Sequence, residues 1–152
     1  MSELESFSYE RFMSLSGSSL VSYAEPFVNT RTHAIPESVF DLLMSNLTRL
    51  DEAHTIYALE ICMALKPSEF ISVVVGFLAN ANASISCTAY RLLSKTPPEL
   101  ISADLRSRIA ATPVVDLFTS DVRTGTRIRI GTNEEFIRDL VANFSASPNC
   151  TF

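Results

Sequence analysis

Tryptophan is absent from this 152-residue chain, glycine occurs four times, cysteine three times and histidine twice. Each scarcity removes a class of chemistry. Four scattered glycines build neither a phosphate-cradling loop nor a dinucleotide fingerprint. Cys62, Cys87 and Cys150 lie 25 and 63 residues apart with no C-x-x-C pair, so no zinc site is expected and no metal or cofactor is assigned. With only His33 and His54 as candidate bases and no Gly-x-Ser-x-Gly elbow, the parts of a hydrolase are missing and the chain reads as a non-enzyme. The longest apolar stretch, Phe70–Ala81, is too short to span a bilayer. Met1–Ser6 offers neither a basic n-region nor an apolar h-region. These features predict a cytoplasmic, reduced protein without membrane contact, in which Cys62 and Cys87 pack as small hydrophobes and Cys150 is exposed.

What is present is apolar bulk: 47% of residues are hydrophobic, 9% aromatic and 19% charged. A chain this long buries about two thirds of its unfolded surface, enough for one core without staples. A single domain, 1–152, is expected. Charge is uneven within the formal net of −5. Residues 1–76 carry four basic and ten acidic side chains, net −6, and residues 77–152 carry eight basic and seven acidic, net +1. A negative field repels phosphate and steers basic proteins, so nucleic acid is not the first choice of partner.

The informative pattern is a repeat. Pro36, Pro67 and Pro98 are spaced 31 residues apart, and each is followed in the same register by an apolar triplet. The triplets are Val39/Leu43/Leu47, Phe70/Val74/Leu78 and Ile101/Leu105/Ile109, with the i, i+4, i+8 spacing of one helix face. Proline suits a first helical turn, and Glu37, Glu69 and Glu99 favour the positive end of the dipole. Helices are predicted over 36–48, 67–78 and 98–110. The middle one, though rich in β-branched residues, is assigned as helix by this register. Asp51 and Asn82, at equivalent repeat positions, cap a second helix in the first two units. In the third, only Val114–Phe118 reads as a second helix.

Around these repeats, two short helices at 8–15 and 19–28 flank Ser16-Gly17-Ser18 as an N-terminal helical cap within 1–34. The helical repeats occupy 36–118. Alternation of Thr126, Ile128 and Ile130 with Arg127 and Arg129 marks a β segment at 122–131, with Thr124-Gly125 as a hairpin turn. Thr132 and Glu135 suggest a capping box for a C-terminal helix at 132–144 with Phe136, Leu140 and Phe144 on one face. The fold class is therefore mainly α, stacked antiparallel helical hairpins with a small C-terminal β-hairpin or strand.

Tandem helix pairs of 31 residues, each opened by proline, resemble short HEAT-type repeats over roughly 36–118. The resemblance implies an α-solenoid that binds macromolecules along an extended surface. In size, acidity and lack of chemistry the chain is similar in profile to bacterial immunity proteins, including those of contact-dependent growth inhibition systems. That resemblance implies a partner: a basic protein such as a toxin nuclease domain. The acidic residues Glu37, Asp41, Asp51, Glu52, Glu60 and Glu69 are the expected partner-binding set, with Tyr57 and Tyr90 as buried anchors. His54, in a first turn beside Asp51 and Glu52, is expected in surface or interface packing. Arg123, Arg127 and Arg129 form a secondary basic patch. Two further classes remain: a scaffold subunit that self-associates through its helix faces or the 126–130 strand, and an RNA-binding protein using the arginines.

Overall fold

The structure, a computed structural model, describes residues 7–29, 35, 37–121 and 123–146. His33, Pro36, Cys150 and the 147–152 tail lie outside the described residues, as do the side chains of Glu37 and Phe144. The chain is mainly helical with one two-stranded antiparallel sheet. It divides into two compact units, Met1–Lys66 and Pro67–Phe152.

The first unit contains α1 (Tyr9–Ser14), α2 (Gly17–Asn29), α3 (Glu37–Asn46) with a 3-10 turn at Leu47–Arg49, and α4 (Glu52–Leu65). Ser8 caps α1 by accepting from the Arg11 amide, and its own amide donates to the Tyr23 hydroxyl at 2.8 Å. Asp51 caps α4 as the repeat spacing predicts, accepting from the His54 amide at 2.8 Å. The core is aromatic at one end: Phe7 lies 5.2 Å from Phe12 and 5.1 Å edge-on to Phe27, and Tyr23 packs against both Phe7 and Phe27. Leu20, Leu43, Ala58, Leu59, Ile61 and Cys62 complete the buried layer. Here α1 packs on α3 and α2 on α4.

The second unit contains α5 (Pro67–Phe77), α6 (Ala83–Ser94), a 3-10 turn at Pro98–Leu100, α7 (Ala103–Ala110), β1 (Asp116–Ser120), β2 (Arg127–Thr132) and α8 (Glu134–Ala146). The β-branched stretch of α5 is helical, burying Phe70, Ile71, Val74 and Val75. Asn82 caps α6 through the Ile85 amide at 3.0 Å. Packing of α5 on α6 and of α8 on both α6 and α7 makes a core in which Phe70 joins the aliphatic Leu78, Ile85, Leu93, Ile109, Ile137 and Leu140.

Three expectations need correction here. The helix predicted over 98–110 is broken. Pro98 opens only a 3-10 turn, and Ser102, whose Oγ accepts from the Leu105 amide, starts α7 afresh. Ile101 and Ile109 are buried and Leu105 half-buried even so. The segment expected as a helix at 114–118 is extended, and 116–120 is strand β1. Its conformation is set from outside: it pairs with β2, and the Phe118 amide donates to the Ala81 carbonyl at 2.8 Å. No second helix therefore follows α7, which ends at Ala110, before β1. The expected capping box is replaced by a single bond: α8 begins at Glu134, whose amide donates to Thr132 Oγ1, and Asn133 intervenes.

In the hairpin, Asp121 accepts from the Arg123 amide and pairs backbone groups with Thr126, closing the turn that Gly125 enters at φ 72°. The register shifts between Leu117 and Phe118, whose partners are Gly131 and Arg129, so Ile130 is the extra residue of a bulge. Gly131, at φ 144°, occupies a conformation that L side chains rarely adopt.

Candidate functional site

In the first unit, α2 and α4 pack with a groove of about 330 Å³ along their outer seam. Helical period builds it from both sides. Val21, Glu25 and Val28 recur at i, i+4, i+7 on α2, while Glu52, Ile56 and Glu60 recur at i, i+4, i+8 on α4, with Tyr57 and Ala53 between. Its floor is apolar and its rim carries three carboxylates. Tyr57 lies among them half-buried, and burial, followed by the charges of Glu25 and Glu60, pushes its phenol up from the usual range. The walls suit the side chain of an arginine or lysine: aliphatic stem on Val21 and Ile56, aromatic face on Tyr57, charge among the glutamates.

The structure thus brings together Glu52, Tyr57 and Glu60 from the expected set and adds Glu25. Sequence reasoning missed Glu25 because nothing in Tyr23-Ala24-Glu25-Pro26 announces which helix α2 meets. The other expected residues are not gathered there. Asp41 is exposed on α3, and Glu69 is exposed in the first turn of α5. Asp51 is engaged with His54. In the second unit, Tyr90 stacks on Phe136 at 4.8 Å and donates its hydroxyl to Asp139. That hydrogen bond, and then burial, raises its phenol. These two rings help line a separate, open hollow of about 440 Å³ with Arg138 and Glu135. The basic patch is exposed: Arg127 lies 4.1 Å over the Phe118 ring, and Arg129 donates to Asp116 at 2.9 Å.

His54 overturns its expectation of surface or interface placement, being only 4% exposed. Its Nδ1 lies 2.7 Å from Asp51 Oδ1 and its Nε2 2.9 Å from the Phe12 carbonyl oxygen, with the Phe12 ring edge-on at 4.9 Å. Both partners only accept, so the two bonds are made together when both ring nitrogens carry protons. Burial opposes the Asp51 carboxylate, but hydrogen bonds from the His54 amide and ring, and the attraction of the ring, outweigh it and hold Asp51 below its usual range. An Asp–His pair is two thirds of a catalytic triad, yet the nitrogen that would face a nucleophile is occupied by a backbone carbonyl. The pair is a clasp between α1 and α4.

The polar centre of the second unit is Asn133, fully buried. Its Nδ2 donates to the Leu78 and Pro113 carbonyls at 2.9 and 3.0 Å, and its Oδ1 accepts from the Val115 amide at 2.8 Å. Ser86 Oγ donates to the same Leu78 carbonyl, so side chains fill both lone pairs of this group just beyond the end of α5. Cys62 is buried, and burial pushes its thiol up to about 12, well away from the range of a reactive thiolate. Cys87 is half-buried. Among the described residues no group of three or more His, Cys, Asp or Glu side chains is placed to hold a metal ion, and no helix is long and apolar enough to cross a membrane. Compared with protein-family models, curated proteins and solved structures, the chain matches none.

Proposed function

We propose that the chain is a non-enzymatic protein-binding module that docks a basic protein on its first unit. Its most concrete form is an immunity protein that neutralises a basic toxin nuclease domain by covering it. The observation that carries this reading is the α2–α4 groove, where Glu25, Glu52 and Glu60 ring Tyr57 over an apolar floor. A cationic side chain of the partner enters there, and the surrounding negative field speeds encounter. The HEAT-like reading is supported by the two helical pairs, α3/α4 and α5/α6, whose second helices are capped at equivalent repeat positions by Asp51 and Asn82. It implies a surface adapted to macromolecules.

The test uses a basic toxin nuclease domain recovered together with this chain from its native host. Its association rate should fall steeply as salt rises, and Glu25→Lys with Glu60→Lys should weaken binding by about 100-fold or more, as reversal of steered contacts does. Association unaffected by salt and by the double reversal would remove the groove from the interface.

A further inference from the structure

The hairpin of the second unit has two unlike edges. On β1, the outer edge is partly occupied: the Phe118 amide bonds the Ala81 carbonyl, and Asn82 and Phe118 form a parallel bridge. On β2, Arg127, Ile128, Arg129 and Ile130 are all exposed, and among the described residues no strand pairs with β2 except β1. Alternate residues of such a strand direct N–H and C=O groups away from their one partner, a template for another strand. Two large apolar side chains accompany that edge, Ile128 at 42% and Ile130 at 57% exposure. The bulge holds Ile130 outside the ladder register.

Charge decides which strand fits. Arg123 is exposed in the turn, and the Arg127 guanidinium lies over the Phe118 ring. Arg129 shares its charge with Asp116, and both side chains remain about half exposed. A second copy of β2 would bring the arginines of both strands together, and like charges on adjacent strands repel. An incoming strand with Glu or Asp would meet complementary charge at the same positions. RNA would use the arginines but neither the backbone template nor the isoleucines.

We propose that the β2 edge accepts an extended acidic segment of a partner protein as a third strand, with backbone pairing along Arg127–Ile130 and carboxylates on the arginine side. This surface is independent of the α2–α4 groove: a chain that fails to bind any basic protein could still show it, and the reverse.

The probe is a synthetic heptapeptide, Thr-Glu-Val-Glu-Val-Glu-Thr, with a lysine counterpart and a version N-methylated at alternate amides. Amide exchange of the intact chain is followed at about 1 mM peptide, where a complex with a Kd of ~1 mM is half formed. The acidic peptide should slow exchange of the outward amides of β2 by about twofold, the full effect available at that occupancy, while the lysine peptide leaves them unchanged. N-methylation on the pairing side should abolish the protection, since it removes the ladder donors. Arg127→Glu should transfer the preference to the lysine peptide, with circular dichroism checking that the variant is folded. Equal effects of the acidic and lysine peptides, protection that survives both N-methylation registers, or β2 protection that rises with protein concentration alone would each overturn the proposal. The last outcome would identify a second copy as the occupant.

Discussion

The two units settle the same problem with different chemistry. Each must tie a peripheral segment, helix α1 in the first and the stretch leading into β1 in the second, to a helical core, and each does so with one buried polar side chain bonded to backbone carbonyl oxygen. In the first unit the tie is His54, which reaches the Phe12 carbonyl and is held by the Asp51 carboxylate. In the second it is Asn133, which bonds Leu78, Pro113 and Val115 with a neutral amide. The carboxylate that holds the first tie, Asp51, responds to pH, whereas an amide tie does not. The contrast extends to composition. The first unit is acidic, aromatic at its core and purely helical among the described residues. The second contains as many basic as acidic side chains, has a core of aliphatic side chains around Phe70 and carries the hairpin.

The comparison is broken most severely at Asn133. Asn133→Leu removes three side-chain hydrogen bonds and strands buried carbonyls, so it should cost about 3 kcal/mol or more, read as a lower denaturant midpoint. Amide exchange should show the loss first at Val115 and Phe118, where β1 is anchored. His54→Leu should cost somewhat less, about 2 kcal/mol, because Asp51 can still turn to water while only the Phe12 carbonyl is stranded. Its exchange signature should appear in α1 and the first turn of α4, leaving the hairpin unchanged. Loss spread equally over both units would show that the two ties do not act locally.

The smallest effect sharpens the difference in pH response. Asp51 is held below its ordinary value of 3.8, so it contributes stability that is present above that value and is lost as pH falls through its lowered folded value. As pH falls below 3.8, amides of α1 should therefore lose protection before those around Asn133 on account of this group. In Asp51→Asn, which retains a capping oxygen, that part of the acid response should disappear, with little change in the second unit. Exchange measured across an acid titration of both proteins checks it.

Local signals in the sequence carried a good part of this structure. Asp51 and Asn82 were legible as caps because the 31-residue spacing placed them in one register. The same register identified α5 as a helix, against the strand propensity of Val73-Val74-Val75. Alternation about Arg127 and Arg129 revealed β2, whose pattern is intrinsic to one strand. What the sequence concealed was decided by distant partners. Val114–Phe118 has an apolar run compatible with helix, and only β2, Ala81 and Asn133 make it extended. His54 looked superficial because the carbonyl that buries it belongs to a residue 42 positions earlier. Pro98 matched its fellow prolines in spacing, yet Ser102 supplied the stronger helix start. At the candidate site, the α4 residues were readable as one helical face, but Glu25 joins them only through the packing of α2.

The twice-filled carbonyl of Leu78 also bears on how the chain is made. Ser86 lies 8 residues downstream of it and Asn133 lies 55 downstream. At translation rates of about 5–20 residues per second, roughly 3 to 11 s separate the emergence of Leu78 from that of its second donor. During that interval α5 and α6 can form and Ser86 can bond, while water occupies the remaining lone pair. The order of emergence therefore leaves room for a stage in which the nascent second unit has its helical hairpin but lacks the amide that locks its β-hairpin.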